Sequence, residues 1–287
     1  MTISEFLRSR SAGDDAVERL SKEITAFQER TATRMAGILS ELEISGGRLV
    51  ASEANMARLS NVIAELEAGF ADAKWQKAVA EYLKSFTELE AGLAAYAGGF
   101  GALDEGLLTV LKREYQTISA NYLLDATSFT RTLQQPIVQE VGAHIASGGR
   151  YRDLVTAVSN IVTGGEDSDG AILGNTRTAV NDMVSIYERT ATQAAATSVG
   201  AEFYLYQGRP IDTTRDFCRA REGKYWHKKE IEEWGGMEWA GQIPGTNSTT
   251  IFSLLGGYNC RHVLVPVARG DVPASDLARM RSKGYID

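Results

Sequence analysis

From about residue 14 to residue 199, apolar side chains recur at steps of three and four, and Pro136 is the single proline in that length. A helix turns once in about 3.6 residues, so this spacing gathers the apolar residues onto one face and predicts long amphipathic helices. Val17, Leu20, Ile24, Phe27, Met35, Ile38 and Leu42 mark a first helix, which the "SGG" at 45–47 ends. Leu59, Val62, Ile63, Leu66 and Phe70 mark a second. Val79, Tyr82, Phe86, Leu89, Leu93 and Tyr96 mark a third, ended by "AGGFG" at 97–101. Further amphipathic stretches follow at about 104–122, 126–147, 150–162 and 175–199, broken by a second "SGG" and by "TGGEDSDG". Each apolar stripe needs a partner, either within an intramolecular bundle or, for the three-four rhythm of 14–96, on another subunit or another protein.

After residue 200 the texture changes. Pro210, Pro244, Pro266 and Pro273, Trp226, Trp234 and Trp239, and both cysteines lie there. "AEFYLYQG" and "HVLVPV" read as strands, the second by the alternation of Val263, Val265 and Val267, and "HKKEIEEW" reads as a short helix between them. The expected fold is therefore mainly α: a long-helix bundle over about 1–199, followed by a small loop-rich α+β module over 200–287, the two forming separable units.

A formal net charge of −7 argues against coating nucleic acid by bulk electrostatics, so any contact with DNA must be local. Two cysteines make no disulfide framework and suit assembly in a reducing cytoplasm. The opening "MTISEFLRSRSAGDD" lacks the apolar stretch of a signal peptide, and no run of about 18 apolar residues occurs. The expectation is a soluble protein that is not exported by the secretory route and has no membrane partner.

The order of motifs from 187 to 267 is specific. A helix bearing Arg189 and Thr190 leads to a strand, an Asp-Thr-Thr-Arg turn at 212–215, Cys218, Gly223-Lys224, a tryptophan-containing segment, and a closing Asn259-Cys260-Arg261-His262. This resembles the carboxy-terminal module of the phage minor head protein family, also called the head-morphogenesis or Mu F-like family of tailed bacteriophages. Many members carry Pro-Pro-x-His before a closing Asn-Cys-Arg-Cys; here Leu255-Gly256-Gly257-Tyr258 precedes the motif and His262 stands in the last Cys position. The resemblance implies a structural virion component in the phage head or portal region, present in several copies and assembled in the host cytoplasm. It would bind portal or inner capsid proteins during head assembly, with a role in DNA packaging or delivery.

Read as residues, Cys218, His227, Cys260 and His262 are the one Cys/His set of zinc-ligand type. Cys260 and His262, two apart, emerge on one face of a strand, where they are expected to face the Cys218 segment. Three states are open for the cysteines: shared zinc, a Cys218–Cys260 disulfide, or packed thiols. Asp212 is placed to cap the turn, Arg215 to pair with Asp212 or Asp216 as a clasp, and Arg261 to face away from Cys260 toward a partner or loop carbonyls. His144 reads as a favourable charge at a helix end or a cap, not as a ligand. No Gly-rich phosphate loop, HExxH, GxSxG or paired DxD occurs, so no catalytic residue or cofactor is assigned and a non-enzymatic role is expected. The alternative class is a zinc-dependent or ADP-ribosyltransferase-like enzyme. A free-standing DNA-binding regulator is disfavoured by the acidic balance.

Overall fold

A computed structural model describes residues 2–70, 72–99, 104–124, 126–165, 170–208 and 210–287. Over these the protein is mainly α, with small antiparallel sheets. In chain order the helices are α1 (Ile3–Ser9), α2 (Ser11–Leu39), α3 (Glu53–Ala57), α4 (Leu59–Phe70), α5 (Ala73–Ala97), α6 (Glu105–Leu124), α7 (Ala126–Ser147), α8 (Tyr151–Thr163) and α9 (Gly170–Ser198), with the strands β1 (Ile44–Ser45) and β2 (Arg48–Leu49) between α2 and α3. The carboxy-terminal third runs β3 (Phe203–Gln207), α10 (Asp216–Arg219), β4 (Tyr225–His227), α11 (Lys228–Trp234), α12 (Ile251–Leu254), β5 (Val263–Val267) and α13 (Ala274–Ser282). Positions 100, 101 and 166–169 of the two turn-rich breaks, and the side chains of Leu66 and Phe70, lie outside the described residues.

Two compact units form, one of Asp15–Lys84 and Thr117–Ala179, the other of Met1–Asp14, Ser85–Gln116 and Val180–Asp287. The change of sequence texture at residue 200 falls inside the second unit. The reason is physical: the last turns of α9 carry Ala196 into the apolar cluster of the carboxy-terminal module and Arg189 into its loops.

The first unit is helical. Leu20, Ile24, Phe27 and Met35 of α2 are buried, as the periodicity requires, whereas Val17 and Ile38 are half-buried and Leu39 takes the buried position at the helix end; Phe27 meets Trp75 of α5 with ring centroids 5.1 Å apart. Trp75 is fully enclosed, and its indole N–H donates to the Leu123 carbonyl at 3.1 Å, removing the cost of an orphaned donor. α7 packs against α4 and α8. α2 ends at Leu39, earlier than the apolar pattern suggested, and the "SGG" at 45–47 instead turns a β-hairpin, with Gly46 and Gly47 at φ of 59° and 74°. Positive φ at both central residues is what a two-residue hairpin turn demands. Buried Asn55 ties this hairpin to α3, accepting from the Glu43 N–H and donating to the carbonyls of Glu43 and Val50.

In the second unit Phe6 of α1 stacks on Tyr96 at 4.5 Å, Arg10 pairs with Glu188, and Phe86 meets Tyr187 at 5.1 Å. Its sheet has the order β4-β3-β5, all antiparallel. Pro266 sits on the edge strand β5, where a missing N–H costs no ladder bond, and its carbonyl accepts from the Tyr96 hydroxyl at 2.7 Å. One face of the sheet, through Tyr204, Tyr206 and Leu264, packs on Phe217, Ile231, Trp234, Ile251, Phe252 and Leu255, and this core also holds both cysteines.

Candidate functional site

The centre of the carboxy-terminal module is assembled by one side chain from α9. Arg189, 3% exposed, donates to the carbonyls of Ser253 (3.0 Å), Leu254 (3.3 Å), Cys260 and His262 (2.9 Å). Only a guanidinium has donors enough, in a fixed fork, to serve four acceptors at once. Two turns of helix away on the same side, the Asp182 carboxylate accepts the Asn259 N–H at 2.6 Å. Burial pushes the Asp182 carboxyl up, and that N–H together with the Arg189 charge offsets part of the rise. Asn259, at φ 56°, and Gly257, at φ 93°, turn the chain sharply between these two anchors. Gly257 has no room for a side chain, because a β-carbon there would fall 1.9 Å from the Gly241 carbonyl oxygen.

This folding of the loop brings Cys260 to Cys218. Their sulfurs are 3.9 Å apart, and both residues are buried. His262 is buried as well, with Nδ1 3.7 Å from the Cys260 sulfur. The three donor atoms all lie within 4.8 Å of one another. Cys260 and His262 lie just before β5, not within it, and the carbonyls of both are held by Arg189. Gly256 lies directly against the pair, since a β-carbon on it would sit 2.4 Å from the Cys218 sulfur and 2.7 Å from that of Cys260.

Around the three donors stands a second layer. Glu222 Oε2 lies 2.8 Å from His262 Nε2, and Glu222 Oε1 accepts the Gly208 N–H at 3.2 Å. The Tyr206 ring lies over the imidazole with centroids 5.1 Å apart, and its hydroxyl is buried facing the cysteines with no oxygen or nitrogen partner. The electrostatics split the two thiols. Hydrogen bonding to Cys260 and burial hold the Cys218 thiol well above its ordinary range. The Cys218 donor lowers Cys260, with Arg189 and His262 acting in the same direction and burial opposing them. Chemically, the arrangement offers two sulfur ligands and one imidazole, or a thiol–thiolate pair.

The other expected site residues go elsewhere. His227 caps α11, its Nδ1 accepting the Lys229 N–H at 3.3 Å, and its ring packs against Phe203 and Tyr285. Burial lowers its basicity. The 212–215 turn is closed by Thr214, whose hydroxyl accepts the Ile211 N–H at 2.7 Å, and not by Asp212, which is exposed. Arg215 bonds neither Asp212 nor Asp216: its guanidinium donates to the Tyr258 carbonyl at 2.7 Å, packed over Gly241. The expected clasp is thus replaced by an arginine-to-backbone tie between the two loops. Arg261 is exposed, pointing away from the buried Cys260. His144 sits in the last turn of α7, with Nδ1 3.1 Å from the Glu140 carbonyl and 3.2 Å from its carboxylate.

Arg189, Glu222 and Tyr206 were not assigned to the site from sequence. Arg189 stands at the head of the motif order from 187 to 267, and Asp182, Arg189 and Ala196 repeat at seven-residue intervals, which puts them on one helix face. Glu222 stands in a grouping with Asp212 and His227 that could be read as acid–base machinery, though carboxylates beside turns are normally solvated or capping, and Tyr206 carries no signal, since a tyrosine in a strand is ordinary. Among the described residues no helix is long and apolar enough to cross a membrane. Compared with protein-family models, curated proteins and solved structures, the chain finds no match.

Proposed function

We propose that the chain is a structural minor head protein of a tailed bacteriophage, acting in the virion at the portal or inner capsid during head assembly. The observation that carries this reading is that the motif residues between 187 and 267 fasten the module to itself. Arg189 and Arg215 donate to loop carbonyls, and Cys218, Cys260 and His262 face inward. Such a set makes a rigid docking unit, and its residues meet backbone and core where a catalytic set would meet a cleft. The helices supply the assembly surface, and several copies act per particle. The net charge of −7 restricts any role in DNA packaging or delivery to local contacts.

The test is mass spectrometry with crosslinking on purified, DNA-filled particles from cells producing this chain. The expected result is the chain in multiple copies, crosslinked to portal or inner capsid protein. Its absence from particles while abundant in the lysate would overturn the assignment. Tight, saturable nucleotide binding by the purified chain would favour the ADP-ribosyltransferase-like alternative.

A further inference from the structure

We infer that Cys218, Cys260 and His262 bind one zinc-class divalent cation through two thiolate sulfurs and the Nδ1 of the imidazole, as a structural site at the centre of the carboxy-terminal module. This inference does not depend on the head-protein reading.

The first support is the shape of the donor set. With metal–sulfur bonds of about 2.3 Å and metal–nitrogen bonds of about 2.0–2.1 Å, a tetrahedral site has a sulfur–sulfur edge of about 3.8 Å and a sulfur–nitrogen edge of about 3.5 Å. The corresponding separations here are 3.9 Å and 3.7 Å. A disulfide needs about 2.05 Å, far shorter than the present separation. A soft pair of sulfurs with one imidazole selects zinc over magnesium or calcium, which take oxygen.

The second support is the layer behind the ligands. Glu222 Oε2 lies 2.8 Å from Nε2 of His262, close but out of line for a hydrogen bond, so that a small turn of the ring pairs the two and leaves Nδ1 free toward the Cys260 sulfur 3.7 Å away. A carboxylate behind a ligating histidine is the usual way a metal site fixes the tautomer and ring orientation. Gly208 holds Glu222 by its N–H and leaves space for the ring, since a β-carbon there would lie 2.5 Å from the imidazole. Arg189 fixes the carbonyls of both Cys260 and His262.

The third support is charge and burial. With both sulfurs bound as thiolates, a dication and a neutral imidazole complete a site of no net charge, which suits residues only 2–4% exposed. The buried Tyr206 hydroxyl, beside Cys218, is a protein oxygen available for the fourth position. Because the three protein ligands are enclosed, the metal's role is to tie α10 to the loop before β5.

The full chain is purified under reducing conditions without chelator and its metal content measured, with cobalt(II) replacement as a spectroscopic readout. The expected result is one equivalent of zinc per chain and thiolate-to-cobalt charge-transfer bands with intense tetrahedral visible bands. Cys218→Ser and Cys260→Ser should each lose the metal, and His227→Asn, which keeps a capping side chain, should retain it. Should a cysteine variant fail to fold, Glu222→Gln provides the second measurement: competition with a chromophoric chelator should show affinity weakened about 10–100-fold. Two free titratable thiols without metal, a mass two hydrogens lower from a Cys218–Cys260 disulfide, unchanged affinity in Glu222→Gln, or loss of metal in His227→Asn would each overturn the three-ligand site.

Discussion

A single buried guanidinium organises more of this protein than any apolar residue near it. Arg189 serves four carbonyls, two at the end of α12 and two in the loop before β5, so a shorter or differently shaped cation leaves several buried acceptors unpaired. Arg189→Lys is expected to lower stability by about 3 kcal/mol or more, measured by urea unfolding, because each buried acceptor left without a donor costs about 1–3 kcal/mol. Near-wild-type stability would show that lysine or water replaces the fork. Two glycines give opposite expectations. Gly256 touches both cysteine sulfurs, and Gly256→Ala should cost about 2 kcal/mol or more through overpacking. Gly37 lies inside α2 with nothing within 4 Å of an added β-carbon, and Gly37→Ala should raise stability by about 0.5–1 kcal/mol. Comparison of the two melting temperatures checks both signs.

At the scale of elements, the start of α5 shows how one side chain can serve a helix end and an ion pair together. Asp72 Oδ1 accepts the N–H groups of Lys74 and Trp75, while Oδ2 faces Arg30 at 3.4 Å and Arg34 at 3.2 Å. Burial alone would raise this carboxyl; the two N–H donors and two guanidiniums outweigh it and hold it below the usual aspartate range. A folded-state value below the unfolded one means that the ionised form stabilises the fold. That contribution is complete above about pH 4, the unfolded range, and is lost as pH falls through the lowered folded value. Asp72→Asn keeps a capping oxygen and removes the charge, so it should cost about 0.5–1 kcal/mol at neutral pH, and the gap to wild type should shrink on acidification below about pH 4. Urea unfolding of both proteins across that range measures it; a gap independent of pH would assign the effect to capping alone. Element type was legible wherever a pattern had one physical source. Val79, Tyr82, Phe86, Leu89, Leu93 and Tyr96 are all buried on α5, as their spacing requires, because a helix has one geometry for that rhythm. β4 was not legible: three residues are too few to show alternation, and it exists because β3 offers Phe203, Tyr204 and Leu205 as a partner.

For the whole molecule, composition and connectivity divide the chain differently. The loop-rich third looks separable in sequence, yet its core includes Ala196, its loops hang on Arg189, and its edge strand receives the Tyr96 hydroxyl. A fragment of residues 200–287 is therefore expected to show no cooperative thermal transition and a weak near-ultraviolet signal from Trp226, Trp234 and Trp239, while the full chain shows both a transition and a strong signal. A sharp transition in the fragment would mean that the module's own aromatic core suffices. The loss of Arg189, Ala196 and Tyr96 from the fragment favours the first outcome, because the carbonyls they serve and the core they fill are left open.

By itself the sequence determined the features that local geometry dictates: the long helices before residue 200, the strands at 203–207 and 263–267, and the short helix after His227; of the four Cys and His residues it grouped, the fold brings Cys218, Cys260 and His262 together and leaves His227 out. Those features depend on side chains a few residues apart, or on the scarcity of the residue types involved. Tertiary structure alone decided the partners. Arg215 was expected to meet a neighbouring carboxylate and meets the carbonyl of Tyr258, far along the chain. His227 left the cluster to cap a helix, and Glu222 joined it from a turn. A polar group takes whichever partner lets it keep its hydrogen bonds once water is excluded, and the partner on offer depends on which distant segments the apolar core has already brought together.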